Sequence, residues 1–164
     1  MTTRQVRVER FSVSSSKTFQ EVVAEVEKAI GHPDMSAFGK SIRAAKTYSE
    51  LETIVRGATG PSELMEFTRM DLGEVLRKRN AAATPLSLRF IVGNPVIMGQ
   101  MVQHVPDAGS YAPVTILIDE RPDGVHLSYD KMASLLAPYG NAEAQKVALD
   151  LDSKVERLLA AAAG

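Results

Sequence analysis

Met98, Met101 and His104 stand at intervals of three, just after the tripeptide Gly93-Asn94-Pro95. On a helix, steps of three residues spread the side chains over roughly 120°, so the three share one broad face. Two thioethers and an imidazole form a donor set that suits copper(I) or a haem iron. The competing reading is structural: methionines fill gaps in a core, and His104 is a cation placed at a helix end. Gly93-Asn94-Pro95 itself reads as a strand-to-helix turn. Free N–H groups at such a turn favour an anion, but Asn94 can equally bond its own backbone and shape the turn. A second group is Asp119, Glu120, Asp123 and Asp130, gathered around the turn Arg121-Pro122-Asp123-Gly124. Paired carboxylates can work as acid and base, or hold a hard cation. They serve equally well as the solvated rim of a turn. His32 and His126 show no ligand spacing, such as two histidines four apart on a helix. Tyr111 precedes a strand and can point into a space between helix and sheet.

The elements that must position these groups follow from periodicity. Gln5 to Val13 predicts a strand with a switch or bulge near Arg10. Thr18 and Glu21 form a capping box, and Phe19, Val22, Val23, Val26 and Ile30 repeat at helical spacing, with Gly31 as the C-terminal cap. Two short helices follow in residues 34–59, starting from Asp34 and Thr47. Ser62 to Asp71 predicts a strand with Met65, Phe67 and Arg69 on one face. Asp71 then caps a short helix whose apolar face is Leu72, Val75 and Leu76. Leu86, Leu88, Phe90 and Val92 alternate as a strand with one buried face. A helix runs from about Pro95 to His104. Residues 113–130 form a hairpin, and a helical turn covers Lys131 to Leu136. Asn141 caps a long last helix striped by Ala144, Val147, Ala148, Leu151, Val155, Leu158 and Leu159, with Ala160 to Ala163 as its fraying end. Hairpin-linked strands with long helices predict an α+β fold. We expect a curved antiparallel or mixed sheet of about five strands, with helices mainly on one face.

Composition narrows the chemistry. The chain has 164 residues, 45% hydrophobic and 24% charged, with no cysteine. That length fits a single domain over residues 1–164. Without cysteine there is no disulfide, thiol nucleophile, iron–sulfur cluster or cysteine-held zinc. The net charge of −1 opposes a nucleic-acid surface. The charge is spread from a balance of +3 in residues 1–46 to −3 in residues 81–164, a mild asymmetry. No run of 18 apolar residues predicts a membrane span, and the polar N-terminal segment predicts no secretory leader. We therefore expect a cytoplasmic protein. No phosphate loop, nucleophile elbow or zinc-binding helix motif is present.

The stretch from Leu86 to Leu136 resembles the domain-of-unknown-function 302 family. The resemblance rests on Gly93-Asn94-Pro95 after a strand, then Tyr111-Ala112-Pro113 before a hairpin strand. It rests also on Glu120, and on Ser128-Tyr129-Asp130 leading into Met132 and Leu135. The resemblance implies a small α+β domain similar to the TATA-box-binding-protein fold, usually dimeric, with no agreed activity. Fold alone carries no function. Many members have cysteine where this chain has Gly93 and Val114, so a thiol-based role is not implied here. Residues 32–61 read as a helical insertion relative to the shorter family pattern, suited to lidding a pocket or meeting a partner.

Together these readings predict a non-catalytic homodimeric module that binds a small ligand or a partner. Asn94, Met101, His104, Tyr111 and Asp130 are its candidate ligand-binding residues near the sheet ends. The alternative is a metal- or haem-binding protein, or an enzyme, using His104 with Met101 or the hairpin carboxylates. A third reading places a protein partner on residues 32–61. The residues specify no cofactor.

Overall fold

The computed structural model describes residues 1, 3–80 and 85–164. The strands are β1 (Arg10–Ser15), β2 (Met65–Asp71), β3 (Ser87–Gly93), β4 (Val114–Arg121) and β5 (Gly124–Asp130). The helices are α1 (Phe19–Ala29), α2 (Met35–Ala44), α3 (Tyr48–Ala58), α4 (Leu72–Arg79), α5 (Pro95–Val102), α6 (Met132–Leu136) and α7 (Ala142–Ala163). The strands form one open sheet in the order β1-β5-β4-β3-β2, antiparallel at every step. The expected α+β architecture is therefore the observed one.

Alternation sets the two faces of the sheet. Register places Val13 opposite Leu127, Leu127 opposite Ile118, and Phe90 opposite Ile116. These inward residues form the main core with Val22 and Val26 of α1, Met101 of α5, Met132 of α6, and Leu151, Val155 and Leu159 of α7. The other face carries Ser12, Ser128, Leu117 and Arg89 in one row across four strands. The helix starts are capped as the side-chain types predict. Thr18 Oγ1 accepts from the Glu21 amide at 3.3 Å while the Glu21 carboxylate accepts from the Thr18 amide at 2.8 Å, a reciprocal box. Asp34 Oδ1 accepts from Ala37 N at 2.7 Å, and Thr47 Oγ1 from Glu50 N at 3.2 Å.

α2 and α3 pack a smaller cluster of their own. Phe38 and Val55 bury against Met65, with Met35, Ile42, Leu51, Phe67 and Val96 around them. Entry and exit of this helical pair cross closely at two glycines. A Cβ on Gly31 would lie 2.0 Å from the Ala58 carbonyl oxygen, and one on Gly60 would lie 2.4 Å from the Ile30 carbonyl carbon. Both glycine amides donate to the Leu64 carbonyl, each at 2.9 Å. Glu63, beside it, holds a left-handed backbone with φ 62°.

Several local expectations are corrected. The first strand begins at Arg10, not Gln5; β5, its partner, ends at Asp130, and Val8 is exposed. Ile30, in an extended conformation, ends α1; Gly31 serves the crossing instead of a cap. β2 starts at Met65 because residues 60–64 are a turn closed by Glu63 N donating to the Gly60 carbonyl at 2.8 Å. A register shift between Glu66 and Thr68 breaks the alternation. Arg69 consequently lies opposite Phe90, on the face away from Met65. α4 does not bury its apolar side: Val75 is 70% and Leu76 44% exposed. α5 stops at Val102, so His104 lies beyond it. The final alanines do not fray. Ala162 and Ala163 are buried, and their carbonyls accept from Lys17 Nζ at 3.1 Å and Ser15 Oγ at 2.6 Å.

Candidate functional site

Asn94 sits where β3 hands over to α5. Its Oδ1 accepts from the amides of Val96 at 2.9 Å and Ile97 at 3.3 Å. Its Nδ2 donates to the Glu63 carbonyl at 2.9 Å. One amide side chain thus caps α5 and ties it to the left-handed turn that leads into β2. Pro95 occupies the first turn of the helix, where its missing N–H costs nothing. This cap fixes α5 above the ends of β3 and β4 and leaves a cleft of ≈ 70 Å³ there. Asn94, Ile97, Met98 and Met101 line one side; Phe67, Pro113, Val114 and Leu151 line the other. Apart from Asn94 these walls are apolar. Gly93 keeps the strand close: a Cβ there would lie 3.2 Å from Pro113 Cβ.

The five candidate residues part company. Asn94 and Met101 meet in this cleft. His104 is exposed, lies outside the cleft lining, and donates its amide to the Met101 carbonyl at 3.1 Å. The Tyr111 hydroxyl meets the Tyr139 hydroxyl at 3.2 Å, and that bond is the main cause pushing the Tyr139 phenol up to about 12. Arg4 stacks its guanidinium 4.0 Å from the Tyr139 ring centroid. Asp130 pairs with Arg10 through bonds of 2.6 and 2.9 Å.

The metal and acid–base sets are separated too. Met98 and Met101 share the cleft, but His104 does not join them. Among the described residues no three of the His, Asp and Glu side chains are placed to hold a metal ion. The hairpin carboxylates each have a separate partner. Asp119 holds Arg121 at 2.6 Å, Asp123 holds His126 at 3.0 Å, and Glu120 accepts from the Leu86 amide at 3.3 Å. Asp119 pairs with His126 in the ladder while Ile116 pairs with Tyr129, so Asp119 and Asp130 lie at opposite ends of the hairpin.

Two polar clusters escaped the reading of motifs. At the β2 edge, Arg69 holds Glu66 through two bonds of 2.7 and 2.6 Å, holds Glu27 as well, and covers the Phe90 ring at 4.7 Å. His32 Nδ1 meets Glu66 at 3.0 Å. Arg69 keeps the Glu66 carboxyl below its ordinary range, and Glu66 in turn raises the Arg69 guanidinium. In the core, Asp152 of α7 is only 2% exposed. Its Oδ1 accepts from the Tyr129 hydroxyl and the Met132 amide, both at 2.7 Å, and its Oδ2 from the Ala133 amide at 3.1 Å. A carboxylate from one helix therefore caps the start of another. Burial pushes the Asp152 carboxyl above its usual value, with the three donors opposing. Burial is also the main cause raising the Tyr129 phenol. One signal was available for Asp152: it interrupts an apolar stripe, four residues after Ala148 and three before Val155.

The family model "Domain of unknown function DUF302" matches residues 38–162. The chain belongs to the DUF302 family. The match opens inside α2 and runs through the cleft to the end of α7. The fold is similar to a solved structure described as an uncharacterized conserved DUF302 protein from Bacillus stearothermophilus. That likeness has a TM-score of 0.65 at 12% identity and covers 93% of this chain and 97% of the other. At that identity the likeness shows the fold alone. No curated protein matches the chain. Among the described residues, no helix of this DUF302 chain is long and apolar enough to cross a membrane.

Proposed function

We propose that this DUF302 chain is a cytoplasmic, homodimeric, non-catalytic module that binds a small apolar ligand in the α5 cleft. The cleft itself carries this reading: walls of Phe67, Ile97, Met98, Met101 and Val114, with Asn94 at the rim. Apolar walls with few polar groups are the usual lining of a small-molecule site. At ≈ 70 Å³ it is about half the 150 Å³ cavity that takes a benzene ring. A branched or linear group of about four carbons suits it. The methionines give its lining the freedom to reshape around such a group. Phe67 also belongs to the α2–α3 cluster, so we assign residues 32–61, as an insertion in a single domain, the role of backing the cleft.

The homodimer is proposed on the exposed Met70, Val75 and Leu76 of β2 and α4. Apolar side chains grouped on one strand–helix turn favour a covered surface. Light scattering behind gel filtration should give twice the chain mass, reverting to the chain mass in Val75→Lys.

The ligand reading is tested with neutral 1-butanol as the probe, followed by the methionine methyl resonances in NMR. The Met98 and Met101 methyls should move saturably. Ile97→Phe, which fills the cleft, should abolish the movement. Unmoved methyls in the parent chain would end the proposal. Metal analysis of the purified protein separates the rival: a stoichiometric metal lost on Met101→Leu would favour the thioether chemistry instead.

A further inference from the structure

The sheet face turned away from the main core holds a second site. Arg89, Thr115, Leu117, Ser128 and Asp130 point away from the core, because Phe90, Ile116, Leu127 and Tyr129 beside them in sequence point into it. With Arg10 and Leu72 they line a groove of ≈ 200 Å³. Three observations give it chemical character. Ser128 is 94% buried, being 6% exposed, yet its hydroxyl bonds no described group. Among the described residues Arg89 has no carboxylate partner; there its guanidinium donates only to Thr115 Oγ1, at 3.3 Å. Arg10, the other cation, is already neutralised by Asp130 through two bonds.

We propose that this groove binds a monoanionic carboxylate carrying a small ring or branched apolar body. Of the two described cations lining the groove, Arg89 is the one without a carboxylate, and its fork matches a carboxylate. Thr115 on β4 and Ser128 on β5 each offer a hydroxyl donor on the β4 side of it. Asp130 stands beside the site and disfavours a doubly charged phosphate. Leu72 and Leu117 flank the groove and cover the apolar body. Its volume exceeds the ~150 Å³ that holds a benzene ring. The site is on the opposite face of the sheet from the α5 cleft and does not depend on it.

The experiment uses the full chain and sodium benzoate as probe, followed by amide NMR shifts, with benzyl alcohol and inorganic phosphate as comparisons. Benzoate should bind saturably, moving the amides of Thr115, Leu117 and Ser128, and should compete out of the site as salt rises. Arg89→Gln, at an exposed position, should weaken benzoate at least tenfold while the remaining spectrum stays unchanged. Ser128→Ala should weaken it about threefold, and Ile97→Phe in the α5 cleft should leave it unchanged. Equal binding of benzoate by Arg89→Gln overturns the proposal. So does benzyl alcohol binding as tightly as benzoate, or phosphate binding more tightly. Absence of benzoate shifts at this face, with the face covered by a second copy or not, also overturns it.

Discussion

Replacing Asp152 tests whether one buried carboxylate organises the junction of β5, α6 and α7. In the parent chain it accepts from three donors: the Tyr129 hydroxyl, the Met132 amide and the Ala133 amide. Asp152→Ala removes all three bonds. Met132 N keeps the Tyr129 oxygen at 3.1 Å, so two buried donors are orphaned, the Tyr129 O–H and the Ala133 N–H. Each costs about 1–3 kcal/mol, and loss of the buried charge gives part of that back. The net expectation is about 2–4 kcal/mol, or roughly 10 °C in Tm for a domain of this size. Asp152→Asn should cost less, about 1–3 kcal/mol. Its amide oxygen can still accept from Tyr129 and Met132, and only Ala133 then faces an N–H.

The pH dependence of the difference is a second readout. Burial holds this carboxyl above its ordinary 3.8, so the folded chain binds the proton more readily than the unfolded one. Its contribution to stability is largest below that ordinary value and declines as pH rises through the folded-state value. Asp152→Asn should remove that decline. Urea unfolding at several pH values measures both quantities, with constant m as the check that the transition is the same. An Asp152→Ala chain within 1 kcal/mol of the parent would refute the reasoning, as would Asp152→Asn being the more damaging change.

Three further outcomes are expected. Gly31→Ala should destabilise by about 3 kcal/mol or prevent folding, since its Cβ would stand 2.0 Å from a backbone oxygen; thermal unfolding decides. Asn94→Ala should cost about 1–2 kcal/mol by uncapping α5 and should broaden the methyl signals of Met98 and Met101, while Asn94→Asp should recover the cap but not the bond to the Glu63 carbonyl. Glu66→Gln should cost about 1 kcal/mol at neutral pH after allowance for solvent screening; because Arg69 lowers the Glu66 carboxyl from 4.5, that stability is present above 4.5 and lost as pH falls through the folded-state value, so the gap to the parent should close in acid.

Much of the frame could be read from periodicity and caps. Thr18, Asp34, Thr47, Asp71, Asn94 and Asn141 all cap the helices that their types and positions suggested. Those features are local, and local rules reach them. What escaped is non-local. The β2 bulge depends on pairing with β3, so alternation within residues 62–71 misplaced Arg69 relative to Met65. The exposure of Val75 and Leu76 depends on what α4 packs against, which a helical wheel does not contain. Of the site, Asn94 and Met101 were brought together as a turn followed by a helix must bring them. Tyr111 was drawn instead to Tyr139, a partner 28 residues away, and Asp130 to Arg10 across β1. Asp152 interrupts an apolar stripe, but what it holds shows only when the start of α6 lies over it.

The capture of α7's last carbonyls by Ser15 and Lys17 has a consequence for biosynthesis. Arg10 and its partner Asp130 are separated by 120 residues, and Ser15 and Ala163 by 148. At ~5–20 residues per second, a ribosome needs roughly 7–30 s to make the second of these partners after the first. Until β5 has been made β1 leaves Phe11 and Val13 without their partners Tyr129 and Leu127, whereas β4 and β5 are joined by a short turn and need no such wait. The nascent chain therefore carries β1 without its strand partner until Asp130, 120 residues after Arg10, has been made.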